Sequence, residues 1–122
     1  MIEFIESYFF HQDKRGSITG LINFGNWKEL NFIESRAHCV RGNHYHPDIF
    51  EIFIILEGEI TVKTQQVING QLAGDLFENQ VKKGDVFLIR PLINHTFLVC
   101  RDSRWINVLS DSPANSTQRP TI

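Results

Sequence analysis

Two histidines and a glutamate at the start of an apolar segment constrain this chain more than any other feature of its sequence. His44 and His46 are two residues apart, so on an extended strand both imidazole rings project from the same face. Glu51 follows in an apolar run over residues 50–56, which predicts a buried strand. Because a buried carboxylate is costly unless it is paired or bound to a cation, the three residues predict a metal or acid–base site inside a β-barrel.

The length and composition fit one globular domain. The chain has 122 residues, of which 42% are hydrophobic and 11% aromatic, enough for a single core. We expect residues 1–110 to form this domain. The remaining residues, 111–122, are rich in Ser, Pro, Asn and Thr, and we expect them to form a frayed tail.

Charge and hydropathy exclude several classes of partner. The net charge of −2 gives no electrostatic reason to expect nucleic acid or an anionic membrane surface as a partner. No apolar run approaches the ~20 residues that span a bilayer, and no signal-peptide pattern is present. We therefore expect a cytoplasmic protein. Cys39 and Cys100 are too few for a disulfide framework, and we expect two free thiols.

Short apolar segments separated by turn residues recur along the chain, and none has sustained helical periodicity. We predict strands over 2–10, 17–24, 27–35, 37–46, 50–57, 59–68, 86–89, 95–100 and 105–109, with one helical turn as the alternative for residues 27–30. Gly58 predicts a break, and Asn69-Gly70 predicts a hairpin turn because both residues tolerate positive φ. Segment 71–82 has less pattern. Roughly nine or ten short strands of this kind predict an all-β antiparallel sandwich or barrel of the jelly-roll type.

The pattern of these residues resembles the cupin superfamily. His44-Tyr-His46, four residues, Glu51, six residues and Gly58 match the first cupin motif, and Gly84, Pro91 and His95 match the second more loosely. The resemblance covers about residues 37–100. It implies an antiparallel jelly-roll barrel with four metal ligands, namely His44, His46, Glu51 and His95.

The chemistry of this ligand set agrees with a divalent transition metal. Three neutral imidazoles and one carboxylate suit Fe, Mn, Ni, Co or Zn, and an octahedral ion would keep two positions for substrate or water. Ca²⁺ is less suited because it prefers oxygen ligands. A metal-free barrel, in which these groups hydrogen-bond one another or act on a ligand, is the alternative. His11 and His38 stand alone, and we interpret them as surface or edge residues.

A second resemblance concerns function. Asp13-Lys-Arg15-Gly16 and Arg41-Gly42-Asn-His44 are similar to elements of two cupin enzyme families that act on dTDP-linked 4-keto-6-deoxy sugars, the 3,5-epimerases and the 3,4-ketoisomerases. It implies that His44 transfers a proton and that Arg41 contacts the nucleotide diphosphate, with Arg15 as a second candidate contact. Both arginines also fit ordinary surface turns. Those families work without a metal and carry Gln at one of the positions of His46 and Glu51, whereas this chain keeps the full ligand set.

Two hypotheses about function follow. The first is an isomerase or epimerase of a 4-keto nucleotide sugar, with His44 as the base. The second is a metal-dependent cupin that acts on a small acid as an oxygenase or isomerase, or that binds a ligand without turnover. An N-terminal segment with five large apolar residues also predicts a homodimer, because a barrel this small would otherwise expose them. They are Ile2, Phe4, Ile5, Phe9 and Phe10.

Overall fold

The structure is a computed structural model that describes residues 1–113. Nine strands are present in this range, and no α-helix. The strands are β1 (Glu3–Phe4), β2 (Phe9–Asp13), β3 (Gly16–Gly20), β4 (Glu29–Ser35), β5 (Val40–His44), β6 (Glu51–Ile68), β7 (Gln71–Lys82), β8 (Val86–Ile89) and β9 (Ile93–Leu109). Within residues 1–113 no helix has the length and apolarity needed to cross a bilayer. Most of the predicted frayed tail, residues 114–122, lies outside the described residues.

Strands β6 and β9 form the centre of the fold because they pair along nearly their whole length. Their antiparallel register runs from Glu51 opposite Leu109 to Gln66 opposite Ile93 and shifts around Glu57 and Glu59. Such irregularities bend a strand. On one side of the shift the strand order is β1-β8-β6-β9-β4, and on the other β7 pairs with β6 and β5 with β9. The result is two antiparallel sheets that share two strands, which confirms the predicted jelly roll.

The core lies between these sheets. Phe53 of β6 stacks on Phe87 of β8 at a ring-centroid distance of 5.3 Å. It also contacts Phe97 of β9, in the other sheet, at 5.0 Å. Phe97 meets Trp105 edge to face at 4.8 Å. Side chains alternate along each strand, so one face of every central strand contributes to this cluster. Cys39 packs against it, and both cysteines are free thiols, as predicted.

The predicted strand boundaries were wrong where main-chain pairing runs through residues that usually end strands. Gly58 does not break the chain: it lies inside β6 with a positive φ of 101°, at the register shift that bends the strand. The segments 95–100 and 105–109 are one strand, β9, and the weakly patterned segment 71–82 is β7. The hairpin turn at Asn69-Gly70 is confirmed, with φ of 53° and 76°.

The first two apolar segments are shorter in the structure than predicted. Segment 2–10 splits into β1 and the start of β2, and segment 17–24 ends as a strand at Gly20. β2 and β3 pair only with each other and form a two-stranded sheet of their own. This hairpin, residues 9–20, exposes large apolar side chains, with Phe10 60% and Ile18 63% exposed.

Candidate active site

The four residues predicted to share a site come together at one end of the barrel interior. His44 is the last residue of β5, Glu51 the first of β6, and His95 lies near the start of β9. The ring centroid of His44 is 4.7 Å from that of His95 and 5.2 Å from that of His46. All four line a cavity of about 270 Å³.

Glu51 is the centre of this cluster. Its Oε1 lies 3.3 Å from Nε2 of His46 and 3.3 Å from Nε2 of His95, while its Oε2 accepts a 3.1 Å hydrogen bond from the Asn107 amide. The side chain is almost fully buried. Burial by itself raises the pKa of this carboxyl, but the imidazoles of His46 and His95 beside it outweigh burial and hold the pKa well below its usual range. Glu51 is therefore a carboxylate at neutral pH.

The nitrogens of the buried histidines are incompletely paired. Nδ1 of His95 is 3.0 Å from the carbonyl oxygen of Ile93, and since a carbonyl only accepts, Nδ1 carries the proton. Nε2 of the same ring lies 3.3 Å from Glu51 Oε1 without hydrogen-bond alignment and has no partner among the described residues. Nδ1 of His46 is also buried without a partner among the described residues. A buried Nε2 of His95 that faces a carboxylate without an aligned hydrogen bond fits a proton or a cation between the two groups.

Three of the four predicted ligands lie close enough together to bind one metal ion. The ligand atoms of His44, Glu51 and His95 all lie within 4.8 Å of one another, and His46 reaches the group through the shared Glu51 oxygen. Two imidazoles and a carboxylate, extended by a third imidazole, are the donors that borderline divalent metals prefer. The residues present therefore fit the predicted ion. In a metal-free site the contacts of Glu51 with His46, His95 and Asn107 would hold the same residues together.

His44 is held in its neutral form. Burial, followed by the neighbouring charge of His95, lowers the pKa of His44 to about 4. The side chain is only half-buried and lines the cavity. At neutral pH it therefore offers an unprotonated nitrogen to whatever enters the cavity.

A β-bulge directs both functional side chains of β5 into the cavity. Arg41 and His44 are three residues apart, so on a regular strand they would face opposite sides. Gly42 pairs with Thr96, whereas His44 pairs with His95, so one extra residue is inserted in β5. Gly42 and Asn43 have φ of 89° and 61°, the left-handed conformations that such a bulge needs. Because of this insertion, Arg41 and His44 line the same cavity.

The two predicted arginines lie in different parts of the molecule. Arg41 donates from Nε to Ser35 Oγ at 2.6 Å and from Nη2 to the Glu34 carbonyl at 3.0 Å. Arg15 lies in the turn of the hairpin and pairs with Asp13 at 2.7 Å. Within residues 1–113 the cavity lining includes Arg41 but not Arg15. A single chain thus brings only Arg41 to the site.

Sequence reasoning missed the polar wall of the cavity. Asn107 donates to Glu51 and accepts a 3.0 Å hydrogen bond from Asn31, which also donates to Glu29 at 3.0 Å. Ser112 donates to the other oxygen of Glu29 at 2.6 Å and ties the end of the described chain to this wall. Asn107 was detectable because it interrupts the otherwise apolar segment 105–109, and a buried amide in such a segment needs partners.

Known structures share this fold at low sequence identity, whereas no curated protein sequence matches the chain. The dTDP-4-dehydrorhamnose 3,5-epimerase from Sulfolobus tokodaii is 21% identical, with 99% of this chain and 81% of that chain covered and a TM-score of 0.78. A 3,4-ketoisomerase from Helicobacter canadensis is 16% identical, with coverage of 100% and 90% and a TM-score of 0.76.

A mutant 3,4-ketoisomerase from Thermoanaerobacterium thermosaccharolyticum, in complex with TDP-4-keto-6-deoxyglucose, is 15% identical, with coverage of 99% and 87% and a TM-score of 0.75. These likenesses establish the cupin-type fold. In sequence, residues 11–110 match the family described as polysaccharide biosynthesis C-terminal domain. This match spans most of the chain, and the chain belongs to the polysaccharide biosynthesis C-terminal domain family.

Proposed function

We propose that this protein is an isomerase or epimerase of a nucleotide-linked 4-keto-6-deoxy sugar. The observation that carries the proposal is that a neutral His44 and Arg41 line one cavity, as a proton acceptor and an anion-binding group. The fold supports it, since similar structures include a ketoisomerase solved with TDP-4-keto-6-deoxyglucose. Membership of a polysaccharide biosynthesis family points to the same class of substrate.

In the proposed reaction His44 removes a proton from the carbon next to the C4 ketone. The carbonyl makes that C–H bond acidic because the electron pair moves onto the ketone oxygen as the proton leaves. Return of the proton to the other face of the same carbon gives an epimer. Return to C4, with transfer of the C3 hydroxyl proton to the oxygen on C4, moves the ketone to C3. Phe53, Phe97 and Trp105 form an apolar wall that limits water at the site.

Arg41 is placed to bind the diphosphate of such a substrate. Its planar guanidinium pairs with two oxyanions at once, and it is exposed while lining the same cavity as His44. We propose that Arg15 contributes only in a homodimer, because it lies on a hairpin that pairs with no other strand within residues 1–113. The exposed Phe10 and Ile18 of that hairpin support the dimer.

The test is proton exchange in D₂O with dTDP-4-keto-6-deoxyglucose, followed by NMR. We expect deuterium to enter next to the ketone with the native protein and not with His44→Ala, because His46 and His95, which also line the cavity, are almost fully buried whereas His44 is only half-buried. His38→Asn is the matched control: it removes an exposed imidazole outside the cavity and keeps a side chain that tolerates the φ of 71° at this position. Exchange by His44→Ala at the native rate would reject the proposal.

The grouping of ligand atoms from His44, Glu51 and His95, with Nε2 of His95 unpaired, favours a second candidate, a metal-dependent cupin that is an oxygenase or isomerase of a small acid or a non-catalytic ligand-binding module. His44, His46, Glu51 and His95 would hold a divalent Fe, Mn, Ni, Co or Zn ion. When bound, such an ion supplies Lewis-acid chemistry and open coordination positions. The two roles of His44 exclude each other at one nitrogen, since ligation uses the lone pair that a base needs.

Metal content separates the two candidates. The metal-dependent candidate requires about one transition-metal ion per chain after purification without added metal. A chelator would then lower the melting temperature, and Glu51→Gln would abolish both the metal and the effect of the chelator. The sugar-nucleotide candidate instead requires that dTDP raise the melting temperature of chelator-treated protein. A chelator effect without any effect of dTDP would favour the second candidate.

A further inference from the structure

We infer that Ser35 is a positioning residue that orients Arg41 toward a diphosphate in the cavity, an inference that rests on the proposed function. Ser35 ends β4 and is only 5% exposed. Its Oγ lies 2.6 Å from Nε of Arg41 and 3.1 Å from Nε1 of Trp105. Both partners are donors without an acceptor, so the serine oxygen accepts both hydrogen bonds.

These contacts decide which edge of the guanidinium faces the cavity. Nε and Nη2 of Arg41 are held by Ser35 Oγ and by the Glu34 carbonyl, which occupies one edge of the planar group. The three remaining N–H groups, on Nη1 and Nη2, form the outer end of the fork. Two of them can pair with two oxygens of one phosphate group. The exposed Arg41 is therefore oriented before any ligand arrives.

Trp105 keeps the serine oxygen in place. The indole is 1% exposed and packs against Phe97 at 4.8 Å and Phe53 at 5.8 Å. An immobile donor fixes the direction of one lone pair of Ser35, and the other lone pair then fixes Arg41. Orientation in advance reduces the entropy lost when a ligand binds. A purely structural Ser35, which joins β4 to β5 through Arg41, would stabilise the fold but would not discriminate between ligands.

The test compares three ligands by calorimetry: dTDP, thymidine and inorganic pyrophosphate. We expect Ser35→Ala to weaken dTDP and pyrophosphate about tenfold, the effect of one hydrogen bond to a charged group, and to leave thymidine unchanged. In an Arg41→Gln background the same substitution should have no further effect, because no guanidinium remains to be oriented.

Ser103→Ala is the matched control. Ser103 lies opposite Ser35 in the β4–β9 register and is 3% exposed, but its hydroxyl bonds the main chain of Arg101 and Glu59 and does not line the cavity. We expect it to lower the melting temperature without a change in affinity. Arg41→Lys is a second variant that leaves the bond from Ser35 to Trp105 intact. It keeps the charge but has no fork to orient, so we expect it to lose as much dTDP affinity as Ser35→Ala.

The outcomes separate a failure of the inference about Ser35 from a failure of the proposed function. Native affinity for dTDP in Ser35→Ala or in Arg41→Lys would overturn the role of Ser35 and leave the proposed function standing. An equal loss of affinity for thymidine and for dTDP in Ser35→Ala would show that Ser35 only supports the cavity wall. This result would also overturn its role in orienting Arg41. If the native protein binds pyrophosphate but not dTDP, and Ser35→Ala weakens pyrophosphate, a thymidine nucleotide is rejected as the ligand. The role of Ser35 in orienting Arg41 then stands. A native protein that binds none of the three would overturn both.

Discussion

Glu51 places a charge where stability alone would place an apolar side chain. Breaking a buried ion pair is costly, but replacing the whole group by packed apolar residues is often neutral or stabilising. Glu51 nevertheless holds His46, His95 and Asn107 around it in a cavity open to ligands. The energetic cost of this arrangement is the physical reason to interpret it as a functional site.

The acid sensitivity of this site has a defined sign. In metal-free protein we expect the free energy of unfolding to fall as the pH decreases from about 6.5 to about 4. His44 has a pKa of about 4 in the folded chain and 6.5 as its ordinary value, so in this interval the unfolded chain binds a proton that the folded chain does not. The lowered pKa of Glu51 adds a loss of the same sign below its ordinary value of 4.5.

Urea unfolding over this pH range, with a chelator present, measures the effect. His44→Gln should remove the fall in the free energy of unfolding between about pH 6.5 and about pH 4.5, because the side chain no longer titrates. A midpoint that rises on acidification in the native protein would contradict the expected sign.

At the residue scale the spacing of the sequence predicted most of the cluster, and the structure brings its four members together. The two histidines share a face by strand parity, and Glu51 stands out in an apolar run. Asn31 and Glu29 were not predictable in this way, because the bond from Asn31 to Asn107, and through Asn31 the link to Glu29, depends on which strand lies beside β9. Sequence periodicity contains no information about strand order.

At the element scale the bulge in β5 matters more than the length of the strand. It places Arg41 and His44, which are three residues apart, on one face of the strand. One glycine and one asparagine in left-handed conformations form the bulge. A Cβ added at Gly42 would lie 2.8 Å from the His95 carbonyl oxygen. The bulge and the cluster are therefore in direct contact.

Gly42→Ala tests this contact, and Gly70→Ala is its matched control. Both glycines have positive φ, 89° and 76°, but a Cβ at Gly70 would meet nothing within 4 Å. We expect Gly70→Ala to cost about 1–2 kcal/mol of unfolding free energy for the backbone alone. Gly42→Ala should cost at least about 1 kcal/mol more because the His95 carbonyl must move. Equal losses in chemical denaturation would show that β5 adapts freely.

The two missed continuations, through Gly58 in β6 and through residues 101–104 in β9, share one cause. Gly58 and the polar residues between 101 and 104 predict turns when each segment is considered alone, yet β6 and β9 pair with each other on both sides of these places. Pairing between distant segments thus overrides local turn preference. The turn at Asn69-Gly70 was predictable because a hairpin is local.

At the scale of the whole molecule, the hairpin of β2 and β3 is the part that one chain leaves least covered. Its apolar side chains are exposed, and its only strand pairing is internal. A second copy of the chain would cover them and would bring the Arg15 turn near another subunit. This is the physical basis for the proposed homodimer.

Charge substitution on the hairpin tests the dimer. We expect Phe10→Glu combined with Ile18→Glu to halve the mass measured by light scattering, because each buried charge would oppose association. Leu76→Glu is the matched control: Leu76 is 60% exposed and lies on β7, outside the hairpin. A native protein that already has the mass of one chain at micromolar concentration would contradict the proposal.

The sharing of β6 and β9 by both sheets has a consequence for how the molecule opens. We expect neither sheet to separate while the other stays intact, because β6 and β9 belong to both. Amide protons of β6 on either side of Glu57 should therefore exchange with deuterium at the same slow rate, limited by global opening. The pocket would then persist as long as the protein is folded, without a partly opened intermediate of its own.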